Sequence, residues 1–289
     1  MGKVGIVGLG IMGTAYARNL IAAGVEVEGG DPSPEARERL ATLGGSAHEG
    51  AGPWLAECDL VILALISPAV LREVSSILAD VLKPGQVVME TGTFALADKM
   101  AAFETLKDKD IHLLDCPVSG TGAQAAVGDL VMMASGDAGA IEHAKPYMAH
   151  FTKKVIEAGS FGMGSRLKYV ANHAVALHNT AAAETLAYSD ALGLDRQIVY
   201  DMLTAGAGQS KMSDLRMPLM MSGEYEPPTA SLKMFEKDLS VIGDDIRRLG
   251  LSLPLFDACD ALYKQASATL PQTHDTAAVF EVYRKKARQ

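Results

Sequence analysis

The sequence predicts an α/β domain over residues 1–158 and an all-helical domain over residues 159–289, joined by one long helix. Two observations predict this division. Short apolar runs alternate with helical patterns as far as residue 158, and beyond it the strand signal disappears. Continuous apolar strands that alternate with helices are typical of a parallel sheet covered on both faces.

The first domain opens with the strand "KVGIVG", followed by the helix "TAYARNLIAAG", which Gly24 closes. The strand "VEVEG" and the helix "PSPEARERLATLG" come next. Further buried strands are predicted at "CDLVILALI", "QVVMETG" and "HLLDCPVSG", with helices between them. Two last strands, "GDLVMMASGD" and "KKVIEAG", complete this domain.

The second domain begins with a helix over about residues 165–191, which is apolar or small nearly all round and therefore predicted to be buried. More helical patterns follow at "RQIVYDMLTAG", "SLKMFEKDLSVIGDDIRRLG", "PLFDACDALYKQA" and "DTAAVFEVYRKKA".

Composition excludes several classes of function. The net charge of −9 argues against a nucleic-acid partner, which would require clustered Lys and Arg. Three well-separated cysteines and the lack of a metal-binding motif predict neither a zinc site nor a disulfide framework, and we expect no metal. No apolar run approaches the roughly 20 residues of a membrane span, and no signal segment precedes the first strand. We therefore expect a soluble, cytoplasmic protein that does not bind a membrane.

The segment "GLGIMG" gives Gly8, Gly10 and Gly13 the GxGxxG spacing of a dinucleotide-binding loop. The first glycine makes a tight turn, the second lets a pyrophosphate approach the backbone, and the third permits close helix–strand packing. Leu9, Ile11 and Met12 complete the loop and the start of its helix. Because the motif follows a strand and opens a helix, it predicts a Rossmann-type domain that binds NAD or NADP.

Asp31 lies about 20 residues beyond these glycines, at the end of the second strand, where a ribose-binding carboxylate is expected. Its negative charge repels a 2′-phosphate, which favours NAD over NADP. Arg37 or Arg39 could still reach such a phosphate. A second interpretation is that Asp31 only caps the helix beginning near Pro34.

The segment "DCPVSGTG" ends a predicted strand, so its loop should face the cofactor. Ser119, Gly120 and Thr121 offer successive backbone N–H groups and hydroxyls that suit a substrate carboxylate. An ordinary Pro-Gly turn with a satisfied serine is the alternative.

The segment "GMGSRLKYVANH" carries Lys168 and Asn172, one helical turn apart and about 6 Å between Cβ atoms. Alone, such a lysine is more often solvated than catalytic. Beside a dinucleotide-binding domain, it becomes a candidate proton carrier.

Together, "GLGIMG", "DCPVSG", Lys168 with Asn172, and "KDL" at residues 237–239 occur in the order seen in β-hydroxyacid dehydrogenases. The chain resembles this family over nearly its whole length. The group includes 3-hydroxyisobutyrate dehydrogenase, tartronate semialdehyde reductase and 6-phosphogluconate dehydrogenase. The resemblance implies an oxidoreductase that transfers a hydride between a nicotinamide cofactor and a short β-hydroxyacid or its semialdehyde or keto acid.

The resemblance also implies roles for individual residues. Lys168 is implied to be the general acid/base, and Asn172 and the loop of Ser119, Gly120 and Thr121 to bind a small carboxylate-bearing substrate. Cofactor contacts are implied for Lys237, Thr93, Leu65 and Ile66. Family members generally form dimers or tetramers, so a homodimer or homotetramer is expected.

Several positions depart from the family pattern. Thr121 stands where many family members have a second glycine. Ala171 replaces the first of two consecutive asparagines found in many members, and Ile66 replaces a proline that is common in the family. These departures leave the acid/base pair intact and leave open which hydroxyacid is the substrate.

Two other functions fit parts of the sequence. An imine reductase shares the architecture but usually lacks this lysine and the "PVSG" loop. A non-catalytic dinucleotide-binding module would not require Lys168, Ser119 and Asn172 together. The direction of the reaction stays open, because a lysine can donate its proton during reduction or accept one during oxidation.

Overall fold

The computed structural model describes residues 2–286. The chain forms two compact units, Met1–Lys168 and Tyr169–Gln289. The first is α/β and the second is helical. The α/β class and the helical second half predicted from the sequence are confirmed.

A six-stranded parallel sheet forms the centre of the first unit, with strand order β3-β2-β1-β4-β5-β6. Its strands are β1 (Val4–Val7), β2 (Val27–Gly30), β3 (Ser46–His48), β4 (Leu60–Leu63), β5 (Val87–Glu90) and β6 (His112–Asp115). The strand β3 is not predicted by the sequence pattern, because it has only three residues and no buried side chain.

Helices cover both faces of this sheet. They are α1 (Ile11–Ala22), α2 (Pro34–Thr42), α3 (Pro68–Val81), α4 (Leu96–Lys107), α5 (Gly122–Ala126) and α6 (Ala138–Met148), with a 3₁₀ turn at Pro53–Glu57. Leu60 and Ile62 of β4 belong to one apolar core, and Val61 and Leu63 to a second. Because alternate residues of a strand point to opposite faces, the sheet is buried on both sides.

Three further strands form a second, smaller sheet in this unit. They are β7 (Val118–Ser119), β8 (Leu130–Ala134) and β9 (Thr152–Glu157), in the order β7-β8-β9. β7 and β8 pair antiparallel, whereas β8 and β9 pair parallel. The last two strands predicted from the sequence therefore do not extend the six-stranded sheet.

The helix α7 (Met163–Ala191) runs from the end of the first unit into the second. The remaining helices are α8 (Arg196–Ala205), α9 (Lys211–Ser222), α10 (Leu232–Arg248), α11 (Pro254–Thr269) and α12 (Phe280–Lys286), with a 3₁₀ turn at Thr276–Val279. Their shared core includes Leu186, Met217, Leu239, Tyr263 and Phe280. Within residues 2–286, we find no helix both long and apolar enough to cross a bilayer.

Candidate functional site

The loop after β1 has the geometry expected for a dinucleotide. Gly8 has a positive φ of 93°, and a Cβ there would lie 2.3 Å from the carbonyl oxygen of Ala64. A Cβ on Gly13 would lie 1.8 Å from the carbonyl oxygen of Gly8. A Cβ on Gly10 would meet nothing within 4 Å. Gly8 and Gly13 are therefore required by the fold, while Gly10 leaves open space at the start of α1.

That open space lies where a helix offers N–H groups. Gly10 is the N-cap of α1, and its cap position has no side-chain hydrogen bond. The first turn of a helix has N–H groups without intrahelical partners, and its dipole favours an anion. The loop therefore fits a cofactor pyrophosphate.

Asp31 follows β2 and lies against the glycine loop. Its Oδ2 accepts a hydrogen bond from Leu9 N at 2.7 Å, and its Oδ1 accepts one from Ser33 N at 2.8 Å. Ser33, not Asp31, caps α2, because the Ser33 side chain accepts from Ala36 N. The capping interpretation of Asp31 is therefore wrong. Each carboxylate oxygen keeps lone-pair capacity for a ribose hydroxyl.

Two arginines lie beside this carboxylate. Arg37 Nη1 donates to the carbonyl oxygens of Asp31 and Pro32 at 2.9 and 3.0 Å, and Arg39 Nη2 donates to that of Leu9 at 3.3 Å. Positive charge is thus present next to Asp31, although both guanidinium groups donate to backbone oxygens.

The other predicted cofactor neighbours follow the ends of adjacent strands. Leu65 and Ile66 come after β4, and Thr93 comes after β5. Ile66 is 84% exposed, whereas Leu65 and Thr93 are half-buried. In doubly wound sheets, ligands bind beyond the carboxyl ends of the strands, where these residues lie.

The loop after β6 carries the predicted carboxylate site. Ser119 ends β7, and Gly120 has a φ of 143°. Thr121 caps α5 through a capping box, in which Thr121 N donates to Gln124 Oε1 at 3.0 Å and Gln124 N donates to Thr121 Oγ1 at 3.3 Å. The backbone N–H of Thr121, one of three predicted to bind a ligand, is therefore engaged within the loop. Thr121 keeps only its hydroxyl hydrogen for a substrate.

This loop lies next to the dinucleotide loop. A Cβ on Gly122 would lie 2.7 Å from Cγ2 of Ile11, so glycine permits the contact. Asn19 Nδ2 of α1 also donates to the carbonyl oxygen of Ala125 in α5 at 2.9 Å. The first turns of α1 and α5 are therefore brought together within the first unit.

The first turn of α7 is held by side chains at the strand ends. Gly164 N donates to Ser135 Oγ at 2.9 Å, and Ser165 N donates to Asp115 Oδ2 at 2.7 Å. Lys168 follows one turn after Gly164 and is half-buried.

Asn172 has a defined side-chain orientation. It is 7% exposed, and its Nδ2 donates to Asp238 Oδ2 at 2.8 Å. Lys237 Nζ lies 3.3 Å from Asp238 Oδ1. The neighbouring His173 stacks on Phe256, with ring centroids 5.5 Å apart, which fits a packing role.

A buried group of charged residues that the sequence did not predict lies in the same unit, at the ends of β5 and β6. Lys99 Nζ lies 2.6 Å from Glu90 Oε2 and 2.7 Å from Asp115 Oδ1, and all three side chains are fully buried. Burial alone would lower the pKa of Lys99, but the charges of Asp115 and Glu90 raise it above its ordinary value. Burial raises the pKa of Glu90. The available signal was an acidic residue ending each of two buried neighbouring strands.

Comparisons with known proteins agree with this geometry. Residues 3–159 match the NAD-binding domain of 6-phosphogluconate dehydrogenase, and residues 162–283 match the NAD-binding domain of NADP-dependent 3-hydroxyisobutyrate dehydrogenase. An L-threonate dehydrogenase of Cupriavidus necator is 32% identical, with 97% of this chain and 96% of that protein covered.

Solved structures extend the similarity. The 3-hydroxyisobutyrate dehydrogenase of Mycobacterium tuberculosis, solved with L-serine, has a TM-score of 0.92 at 27% identity, covering 98% of this chain and 99% of that one. An imine reductase from a Pseudomonas species is more distant, with a TM-score of 0.62 and 21% identity over 97% and 98% of the two chains. This last likeness shows a shared fold only.

Proposed function

The chain belongs to the β-hydroxyacid dehydrogenase family, and on this premise we propose how its residues act in an NAD(P)-dependent oxidoreductase of hydroxyacids. The bound nicotinamide supplies or accepts the hydride. The observation that carries the proposal is the contact of Gly122 with Ile11, which brings a substrate loop beside a dinucleotide loop.

Lys168 is the proposed general acid/base. Reduction of a carbonyl creates an alkoxide that must be protonated, and a lysine ammonium within hydrogen-bond reach can donate the proton. In the oxidative direction, the neutral amine accepts the hydroxyl proton. The anchored first turn of α7 supports this role, because a proton donor must be held in a fixed position.

Asn172 is proposed to bind the substrate and so orient it towards Lys168. Since a carboxylate can only accept, the bond to Asp238 assigns the amide nitrogen to that side and leaves Oδ1 available for a ligand. An amide oxygen accepts a hydrogen bond, so its partner is a substrate hydroxyl other than the reacting one, whose proton goes to Lys168. An acid with more than one hydroxyl fits this requirement.

Ser119 and Gly120 are proposed to hold the substrate carboxylate, with the Thr121 hydroxyl as a further donor. Cys116 in the same loop is unsuited to nucleophilic chemistry, because burial raises the pKa of its thiol well above its ordinary value.

Gly8–Gly13 and Asp31 are proposed to bind the dinucleotide, with contributions from Leu65, Ile66, Thr93 and Lys237. NAD is the proposed preferred form. Asp31 directs its carboxylate to Leu9 N in the glycine loop, and Arg37 and Arg39 donate to backbone oxygens instead of neutralising it. A 2′-phosphate would meet the negative charge of Asp31, to which neither guanidinium is bonded.

The proposed substrate is a short hydroxyacid. L-Threonate is the first candidate, because the curated relative at 32% identity is an L-threonate dehydrogenase. We propose the cytoplasm as the compartment, where soluble NAD(H) is available.

We also propose that the protein is a homodimer or homotetramer. The end of α7, the helix α8 and the loop between them carry apolar side chains that are more than half exposed. These are Tyr188, Leu192, Leu194, Ile198 and Met202. A patch of this kind is typical of a surface covered by a partner. Ile198→Asp should lower the molar mass measured by light scattering to that of a smaller species.

A spectrophotometric screen tests the activity. L-Threonate, 3-hydroxyisobutyrate and other short hydroxyacids are offered with NAD⁺ and with NADP⁺, and formation of the reduced cofactor is followed by its absorbance. Failure of every carboxylate-bearing substrate with both cofactors would refute the proposal.

Lys168→Ala tests the acid/base role. Loss of a positioned proton donor should lower kcat by about 10²–10⁴-fold, while the Kd for NADH stays nearly unchanged. Lys109→Ala, at an exposed lysine, is the matched control. Wild-type turnover by Lys168→Ala would remove the role assigned to this residue.

A further inference from the structure

We infer that the buried cluster of Glu90, Lys99 and Asp115, together with Ser135 and Ser165, positions the first turn of α7 relative to the loop that carries Thr93. The inference rests on the proposed role of Lys168. It assigns a function to five residues that do not themselves contact substrate.

The cluster is held by hydrogen bonds and ion pairs. Lys99 Nζ donates to Asp115 Oδ1 and to the carbonyl oxygen of Gly92, each at 2.7 Å, and forms an ion pair with Glu90 Oε2 at 2.6 Å. Asp115 Oδ1 also accepts from Ser165 Oγ at 2.8 Å. Ser135 Oγ lies 3.2 Å from the carbonyl oxygen of Asp115 and 3.3 Å from Asp115 Oδ2.

One side of the cluster fixes the loop before Thr93. Glu90 Oε1 accepts from Gly92 N at 2.7 Å, while Lys99 donates to the carbonyl oxygen of the same glycine. Both backbone polar groups of Gly92 are therefore held by buried charges. Thr93, the proposed nicotinamide neighbour, is the next residue.

The other side fixes α7. Ser135 and Asp115 accept the N–H groups of Gly164 and Ser165. A Cβ on Gly164 would lie 2.4 Å from the carbonyl oxygen of Met133 and 2.7 Å from that of Asp115, so the helix backbone presses directly on the strand ends. Lys168 lies on the same helical face as Gly164, about one turn further on.

Stability alone is a weak reason for this arrangement. The side chains of Glu90, Lys99 and Asp115 are fully buried. Burying charges costs desolvation free energy that their mutual attraction often does not exceed, and proteins with apolar residues in place of a buried ion pair are frequently as stable. What charged hydrogen bonds provide is directional restraint. Both proposed site residues lie close to backbone groups that the cluster holds. Thr93 directly follows Gly92, and Lys168 lies about one helical turn after Gly164.

Ser165→Ala and Ser135→Ala test the inference, because each removes one hydroxyl and leaves the ion pairs intact. Ser76→Ala is the matched control, since its exposed hydroxyl bonds only within its own helix. Hydrogen exchange should rise in the peptide containing residues 163–168 in both cluster variants and not in the control. For the best hydroxyacid in the screen, kcat should fall by about 10-fold or more, because a shift of about 1 Å can cost 10²-fold.

The Kd for NADH separates positioning from general destabilisation. It should stay within about twofold of wild type, because the glycine loop is untouched, and kcat is expressed per NADH-binding site so that misfolded protein does not count. A wild-type kcat per site in both variants would overturn the inference, whatever happens to Tm. Gly164→Ala provides a second test through the backbone, with a larger expected loss.

The proposed function and this inference fail differently. An active Lys168→Ala removes the premise. An inactive Lys168→Ala combined with fully active serine variants leaves the proposed function intact and removes only the positioning role.

Discussion

The side-chain amide of Asn172 donates to the carboxylate of Asp238, which lies 66 residues further along the chain, at 2.8 Å. The bond determines which end of the amide is left for the proposed substrate. Asp238→Asn removes this restraint, since an amide can either donate or accept. We expect the KM for the hydroxyacid to rise about tenfold, the equivalent of one hydrogen bond, with the Kd for NADH unchanged.

Asp244→Asn is the control for this change, because Asp244 is an exposed acid on the same helix. Steady-state kinetics with both variants measure the effect. Equal KM values for Asp238→Asn and wild type would show that the orientation of Asn172 does not matter for substrate binding.

Asp31→Asn should weaken the preference for NAD. The change removes a negative charge at nearly constant size, so a 2′-phosphate meets less repulsion and the ribose loses a strong acceptor. We expect the ratio of kcat/KM for NAD to that for NADP to fall by about tenfold or more. Asp80→Asn, at an exposed position on α3, should leave the ratio unchanged.

Alanine substitutions at Gly13 and Gly10 of the dinucleotide loop should have different effects, the first on stability and the second on NADH binding. Gly13→Ala places a Cβ 1.8 Å from a backbone oxygen and should lower the free energy of unfolding by about 2 kcal/mol or more. Gly10→Ala meets no atom within 4 Å and should keep the wild-type Tm while weakening NADH binding by about tenfold or more. Thermal unfolding and fluorescence titration measure the two effects, and a stable Gly13→Ala would contradict the first.

Glu28 should contribute to stability in a pH-dependent way. It lies 2.5 Å from Lys3 and 2.8 Å from His48. Burial opposes ionisation, but hydrogen bonds from these two partners hold the pKa of Glu28 below its ordinary value. The stabilisation from ionised Glu28 is therefore fully present when the pH is above its unfolded-state pKa, near 4.5. It is lost as the pH falls through the lower folded-state pKa.

Glu28→Gln should accordingly be less stable than wild type at pH 7, by about 1 kcal/mol, with the difference shrinking in acid. Urea unfolding at a series of pH values measures it. A difference that grows toward low pH would have the wrong sign for this explanation. Glu49→Gln, at a nearby exposed glutamate, is a suitable comparison.

Local patterns allowed the sequence to predict the glycine loop, the strand ends and the helical spacing of Lys168 and Asn172. Each depends on residues within about one turn or one loop. The bond between Asn172 and Asp238 and the cluster around Lys99 depend on residues far apart in sequence, so no periodicity could reveal them.

Among the elements that the sequence did not predict, β3 and α9 were missed for physical reasons. The strand β3 is short and lacks buried side chains, so it has no apolar pattern. The helix α9 contains Pro218 and shows little separation of apolar and polar faces, with Ser213 and Arg216 among its buried residues. Tertiary contacts outweigh local preference in both segments.

The contact between Gly122 and Ile11 has a kinetic consequence. Ile11, which opens α1, lies against Gly122 in the segment that follows Ser119, so a dinucleotide bound as proposed at the start of α1 would restrict the proposed substrate loop. We expect a compulsory order of binding, with the dinucleotide first and the acid second. For oxidation of the acid, the reduced nucleotide should then inhibit competitively against the oxidised nucleotide. It should inhibit noncompetitively against the acid.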